Sequence, residues 1–115
     1  MKIAQVRKFA LSLPEVTEEP HFDFASFRVR GKIFVTVPPG EDRIHVFVSG
    51  EELESALEAD PAIVEELPWG KKILGVKVHL ARAGVRFVER LVRQAWLAKA
   101  PKSLAGELGR PRGAR

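Results

Sequence analysis

Apolar side chains recur at Ile3, Val6, Ala10 and Leu13, with Phe9 beside them, in steps of three and four residues. That period lines one face of an amphipathic helix, and Pro14 requires the helix to stop just before it. Residues 13–23, rich in Pro and Glu, read as a loop. The period then changes to two. Ala25, Phe27 and Val29 alternate with Ser26, Arg28 and Arg30, which is the signature of a strand with one apolar face. Gly31-Lys32 reads as a two-residue type II′ connection with Gly first, leading into a second strand through Ile33, Val35 and Val37. After the turn 38–42, Ile44, Val46 and Val48 alternate through a third strand. Three strands joined this closely make an antiparallel meander.

Ser49 followed by Glu52 has the spacing of a capping box, with Leu53, Ala56 and Leu57 forming the inner face of a short helix. Asp60-Pro61 reads as a second helix start, with Ile63, Val64 and Leu67 inward, so residues 50–67 are expected to be a helical pair. Residues 73–80 read as one further strand, or two bent at Gly75. A long helix from about Arg82 to Lys99 places Val85, Val88, Leu91, Val92, Ala95 and Trp96 on one arc. The segment after Lys102 shows no periodicity and reads as a flexible tail. The expected fold is therefore α+β, with one domain over 1–102 and a basic tail over 103–115.

Composition adds exclusions. The chain of 115 residues is 45% hydrophobic and 30% charged, as an ordinary globular domain is. It has no cysteine, hence no disulfide, thiolate metal site or cysteine nucleophile. No apolar run approaches the ~20 residues that span a bilayer, and Arg7 and Lys8 interrupt any leader-like core, so a cytoplasmic location is expected.

Charge placement says more than the net value of +4. Residues 41–66 carry nine acidic side chains against Arg43, a block of −8, and residues 67–102 carry nine basic ones against Glu89, a block of +8. On the last helix Arg82, Arg86, Arg90 and Arg93 gather opposite the apolar arc, with Glu89 placed to pair with Arg93. Blocks of opposite sign suit a polyanion, or a protein partner of complementary charge, and they also suit faces that meet within the fold.

Leu13-Pro14-Glu15-Val16-Thr17-Glu18-Glu19, then Pro20-His21-Phe22, then the stretch from Ser26 through Gly31-Lys32 to Phe34, resembles the signature of the MmcQ/YjbR-like proteins. Ala100-Pro101-Lys102-Ser103-Leu104 after the final helix resembles the close of that family. The resemblance covers residues 3–105. It implies a compact α+β domain with helices packed on an antiparallel sheet, of the kind likened to CyaY or to secretion chaperones, in a family described as DNA-binding. Relatives often carry a Trp in the strand before the last helix, where this chain has Ile73-Leu74-Gly75-Val76, with Trp69 upstream.

The residues lack the usual pieces of catalysis. His21, His45 and His79 show no metal-ligand spacing, no serine sits in a GxSxG elbow, and no glycine-rich phosphate loop is present, so no enzyme and no cofactor are expected. The basic surface is richer. Arg28 and Arg30 leave one side of the first strand, Lys32 is at the hairpin tip, and Lys77 is on the strand before the last helix. Lys71, Lys72, Lys99 and Lys102 flank the arginine stripe. Phosphates take such cations, and exposed rings stack on unpaired bases. Phe34 and Phe47 would share the outer sheet face, but a second helical pair has to pack somewhere, and the preferred reading buries both rings beneath the 51–66 helices. Glu51, Glu54 and Glu58 share a helix side and could bind a cation, but the preferred reading is a solvated acidic face.

The sequence thus points to a non-catalytic, backbone-directed nucleic-acid-binding module, with DNA first, using Arg28, Arg30, Lys32, Lys71, Lys72, Lys77, Arg82, Arg86, Arg90, Arg93, Lys99 and Lys102. The alternative is a protein-interaction or chaperone-like module with complementary faces and an acidic protein partner. Either version is a monomer or a weak dimer that needs neither membrane nor metal.

Overall fold

The computed structural model describes residues 1–108, and the basic residues of the expected tail beyond them lie outside the described residues. Helix α1 (Ile3–Ser12) is followed by strands β1 (Val16–His21), β2 (Phe24–Val29), β3 (Lys32–Val37) and β4 (Arg43–Val46). Then come α2 (Gly50–Ala59), β5 (Val64–Trp69), β6 (Lys72–His79), a 3₁₀ turn (Leu80–Arg82), α3 (Val85–Lys99) and α4 (Lys102–Leu108). The strands form one antiparallel sheet in the order β1-β2-β3-β4-β6-β5. The fold is α+β, as the pattern predicts.

One row of side chains crosses the whole sheet: Glu19 opposite Ser26, Ser26 opposite Thr36, Thr36 opposite His45, His45 opposite Lys77, and Lys77 opposite Glu65. Alternation puts Phe27, Val35, Ile44, Val46, Val76 and Val78 on the other face, where they are buried. The helices cover that apolar face. Helix α3 buries Val88, Leu91, Val92, Ala95 and Trp96 against β3 and β4, with α1 and α2 on its two flanks. The polar row belongs to the opposite face, away from α1, α2 and α3, with Ser26 and Thr36 themselves buried.

The structure departs from the local pattern at four places. Residues 16–21 are a strand, not a loop. As an edge strand β1 tolerates Pro20, and its Glu18 pairs with Arg7 of α1. The expected second helix of the 50–67 pair is β5. The Asp60 carboxylate accepts the Ala62 N–H at 3.1 Å, which makes a turn rather than a helix cap, and pairing with β6 then supplies the backbone hydrogen bonds. At α2 Ser49 is the N-cap residue, but its hydroxyl makes no capping bond, so the expected capping box does not form. Residues 102–108 are helical, and Leu104 is buried, so the packed body continues past the expected boundary.

The β2–β3 turn is shifted by one residue from the expected Gly31-Lys32. Val29 faces Lys32 and the connection is Arg30-Gly31, with φ +48° and +82°. Positive φ at both central residues is the type I′ pattern. A bulge lies just inside this hairpin: Phe27 opposes Val35 and Arg28 opposes Ile33, leaving Phe34 as the extra residue. Phe34 therefore escapes the simple alternation and enters the core fully buried, while Phe47 is half-buried. The expected burial of Phe34 is realised by this bulge, not by an acidic helical pair on the outer face.

Candidate functional site

Strand direction decides which cations meet. β2 and β5 both run toward one end of the sheet, so Arg30-Gly31 and Gly70-Lys71 are turns at that same end. Three inter-strand spacings separate the two hairpins, about 14 Å at ~4.8 Å each. The first tip carries Arg30 and Lys32, the second Trp69, Lys71 and Lys72, and all are exposed. Trp69 is 72% exposed. Helix α3 also finishes at this end, because the Trp96 indole N–H donates to the carbonyl of Pro14, just ahead of β1, at 3.1 Å. Half-buried Lys99 and exposed Lys102 follow.

Carboxylates share this end. Glu15 holds the Arg30 guanidinium in a two-pronged pair at 2.9 and 3.0 Å, which raises the arginine and lowers the acid from their ordinary values. Glu51 and Glu52 open α2 on the helix side. No such pair engages Lys32, Lys71 or Lys72 among the described residues.

The uncovered sheet face continues from the hairpins. Half-buried Arg28 donates to the Ser26 hydroxyl at 3.0 Å and to the Pro20 carbonyl at 3.3 Å. Lys77 lies beside His45 and Glu65. Burial, then Arg43 and Lys77, push the His45 imidazole below its usual range, and its buried Nε2 has no hydrogen-bond partner. The ring of Phe24 leans on His45 with centroids 5.9 Å apart. Phe24 is thus an aromatic ring of this face, where the alternation suggests Phe34 and Phe47 instead. His79 hydrogen-bonds Glu65, an interaction that lowers the carboxylate's pKa.

The arginine stripe of the last helix does not join this face. Arg82 is in the 3₁₀ turn rather than on α3, at the end opposite the hairpins. Arg86 and Arg90 are exposed on the helix layer, with Arg90 beside α2. Arg93 is half-buried, with its guanidinium 5.4 Å from the centre of the Phe9 ring, so it packs α1 onto α3, and Glu89 forms no ion pair with it. The twelve expected residues therefore divide in two. Arg28, Arg30, Lys32, Lys71, Lys72, Lys77, Lys99 and Lys102 lie at the hairpin end or on the open face, whereas Arg82, Arg86, Arg90 and Arg93 lie elsewhere. Glu51, Glu54 and Glu58 are exposed on α2, and the described residues contain no group of three or more potential metal ligands. No helix among the described residues is long and apolar enough to cross a membrane.

A sequence profile described as YjbR matches residues 11–98. Uncharacterized proteins of Mycobacterium bovis and of two strains of Mycobacterium tuberculosis are each 41% identical to the chain over 68 residues. The alignment covers 58% of this chain, and the chain spans about half, 53%, of the length of the curated relatives it matches.

Proposed function

The chain belongs to the YjbR family, and we propose that it is a non-catalytic nucleic-acid-binding protein of the cytoplasm that grips DNA by its backbone. The observation that carries this reading is the pair of hairpins at one end of the sheet. Their tips hold Lys32, Lys71 and Lys72 outside any ion pair among the described residues, and one adds an exposed Trp69. A spacing of about 14 Å between the tips is close to the ~12 Å width of a major groove, so both can touch one duplex. Arg28 and Lys77 extend the cationic track along the open face, while Glu51 and Glu52 repel a polyanion from the helix side. Nothing in the hairpins reads base edges in a defined order, so the binding is weakly sequence-specific.

Fluorescence anisotropy with duplex and single-stranded oligonucleotides across a salt series tests this. The expected result is affinity that falls steeply with salt, with a slope of about −0.9 per phosphate neutralised on duplex. Absence of binding at low salt, or binding indifferent to salt, overturns it.

A protein-interaction role is favoured by a different observation, an acidic groove at the other end of the sheet.

A further inference from the structure

Among the described residues, the two most exposed large apolar side chains lie at opposite ends of the sheet and in surroundings of opposite sign. Phe22 is 92% exposed and Trp69 is 72% exposed. Trp69 is followed by Gly70, Lys71 and Lys72 in the β5–β6 hairpin. Phe22 and Asp23 form the β1–β2 turn, which with the 38–41 loop walls a groove of about 740 Å³. Phe24, Pro20, Pro38 and Glu19 also line this groove.

Its charge is acidic. Glu18, Glu19, Asp23 and Glu41 all line it. Arg7 takes Glu18 at 2.9 Å and Glu41 at 3.5 Å, leaving Glu19 and Asp23 without a cationic partner among the described residues. Proline rings and aromatic faces present flat, rigid apolar surface against which an indole packs, and the carboxylates answer the two lysines beside it.

Phe22 makes the case sharper. Its φ is +59°, the left-handed region, at the turn position where glycine is the natural choice. A bulky side chain there is unfavourable for the backbone, and at 92% exposure it recovers little within its own chain, where its ring meets that of His21 edge-on at 4.9 Å between centroids.

We propose that the groove receives the Trp69–Lys72 hairpin of a second copy of this chain, with Trp69 against Phe22 and the prolines and Lys71 and Lys72 facing Glu19 and Asp23. The contact joins unlike surfaces, so it propagates head to tail instead of closing as a symmetric dimer. One hairpin in one groove buries less than the ~1,000 Å² typical of stable interfaces, so the association is weak. It is also most visible at low salt. The proposal does not rest on nucleic-acid binding, but the two compete for the same hairpin.

Sedimentation equilibrium of the full chain without nucleic acid tests it, with the monomer mass of 12.8 kDa as reference. At about 0.01 M salt the average mass rises with protein concentration, and at about 1 M salt it returns to the monomer. Phe22→Gly removes the groove's ring while relieving the backbone, so it folds at least as well and is monomeric. Trp69→Ser is monomeric for the complementary reason. An equimolar mixture of the two variants has one intact hairpin and one intact groove, so it forms a dimer that cannot grow. A wild-type chain that is monomeric at every concentration overturns the proposal. So does an oligomer that survives Phe22→Gly, or a mixture that stays monomeric. Phe22→Gly keeps the hairpin intact and frees it from the groove, so it binds oligonucleotide at least as tightly as the wild type, and failure of this proposal is distinguishable from failure of the nucleic-acid reading.

Discussion

Trp96 and Pro14, 82 residues apart in the chain, are tied by a hydrogen bond of 3.1 Å from the indole N–H to the proline carbonyl. Trp96 is fully buried on α3, and Pro14 lies between α1 and the edge strand β1. The bond fixes where α3 ends relative to the sheet and so brings Lys99 and Lys102 to the hairpin end.

Replacing Trp96 with Phe keeps most of the apolar volume but leaves the Pro14 carbonyl unpaired, a loss of about 1–3 kcal/mol. Trp96→Ala adds a cavity and costs about 3–5 kcal/mol. Urea denaturation of the two variants separates the hydrogen bond from the packing.

Gly75 has no room for a side chain. A Cβ there would lie 2.0 Å from the Val46 carbonyl oxygen, which is backbone and cannot swing away. Gly75→Ala is expected to cost about 3 kcal/mol or more, visible as a lowered melting temperature, because β4 and β6 have to separate.

His45 makes stability depend on pH. Its folded pKa lies below the ordinary imidazole value of about 6.5 because burial and the adjacent Arg43 and Lys77 disfavour the imidazolium. The unfolded chain therefore binds a proton that the folded chain refuses. Stability falls as pH drops below about 6.5 and levels off once the folded imidazole also protonates. Thermal melts in steps from pH 7.5 to 5 are expected to show this decline, and His45→Gln to lessen it.

Leu104 is 2% exposed on α4. Leu104→Ala is expected to cost about 2–5 kcal/mol in chemical denaturation. A neutral outcome would place α4 outside the cooperative unit.

The hairpin cations and the α3 arginines are expected to behave differently. Removing Lys32, Lys71 or Lys72 reduces the salt slope of duplex binding by about 0.9 each. Trp69→Ala loses about 1–3 kcal/mol on single strands, where a base can stack on the ring. Arg93→Ala acts instead on stability, through its contact with Phe9, and leaves oligonucleotide binding unchanged. Anisotropy and denaturation on the same set of variants read both effects.

The strand and helix periods were legible wherever one face of an element is buried and the other is wet. Ala25 to Val29, Ile44 to Val46 and Val88 to Trp96 announce themselves because burial alternates with the geometry of the element. The period failed at Val16–His21 and Val64–Trp69, the two edge strands, whose exposed or charged side chains carry no clean alternation. It failed again at Phe34, where one bulge residue reverses the face. The class of the candidate site was legible as clustered charge, but its membership was not. Arg93 and Lys72 look equivalent along the chain, yet one packs on an aromatic ring and the other stands at a hairpin tip.

The amino-acid sequence by itself determined the α+β class, the hydrophobic core and the presence of two opposed charge blocks, because these follow from side-chain chemistry and local period. Only the tertiary structure decided that six strands share one sheet with a single uncovered face, that two basic hairpins point the same way, and that the arginine helix lies on the other side. Those relations depend on strand direction and on contacts between residues far apart in sequence, where no local pattern carries information.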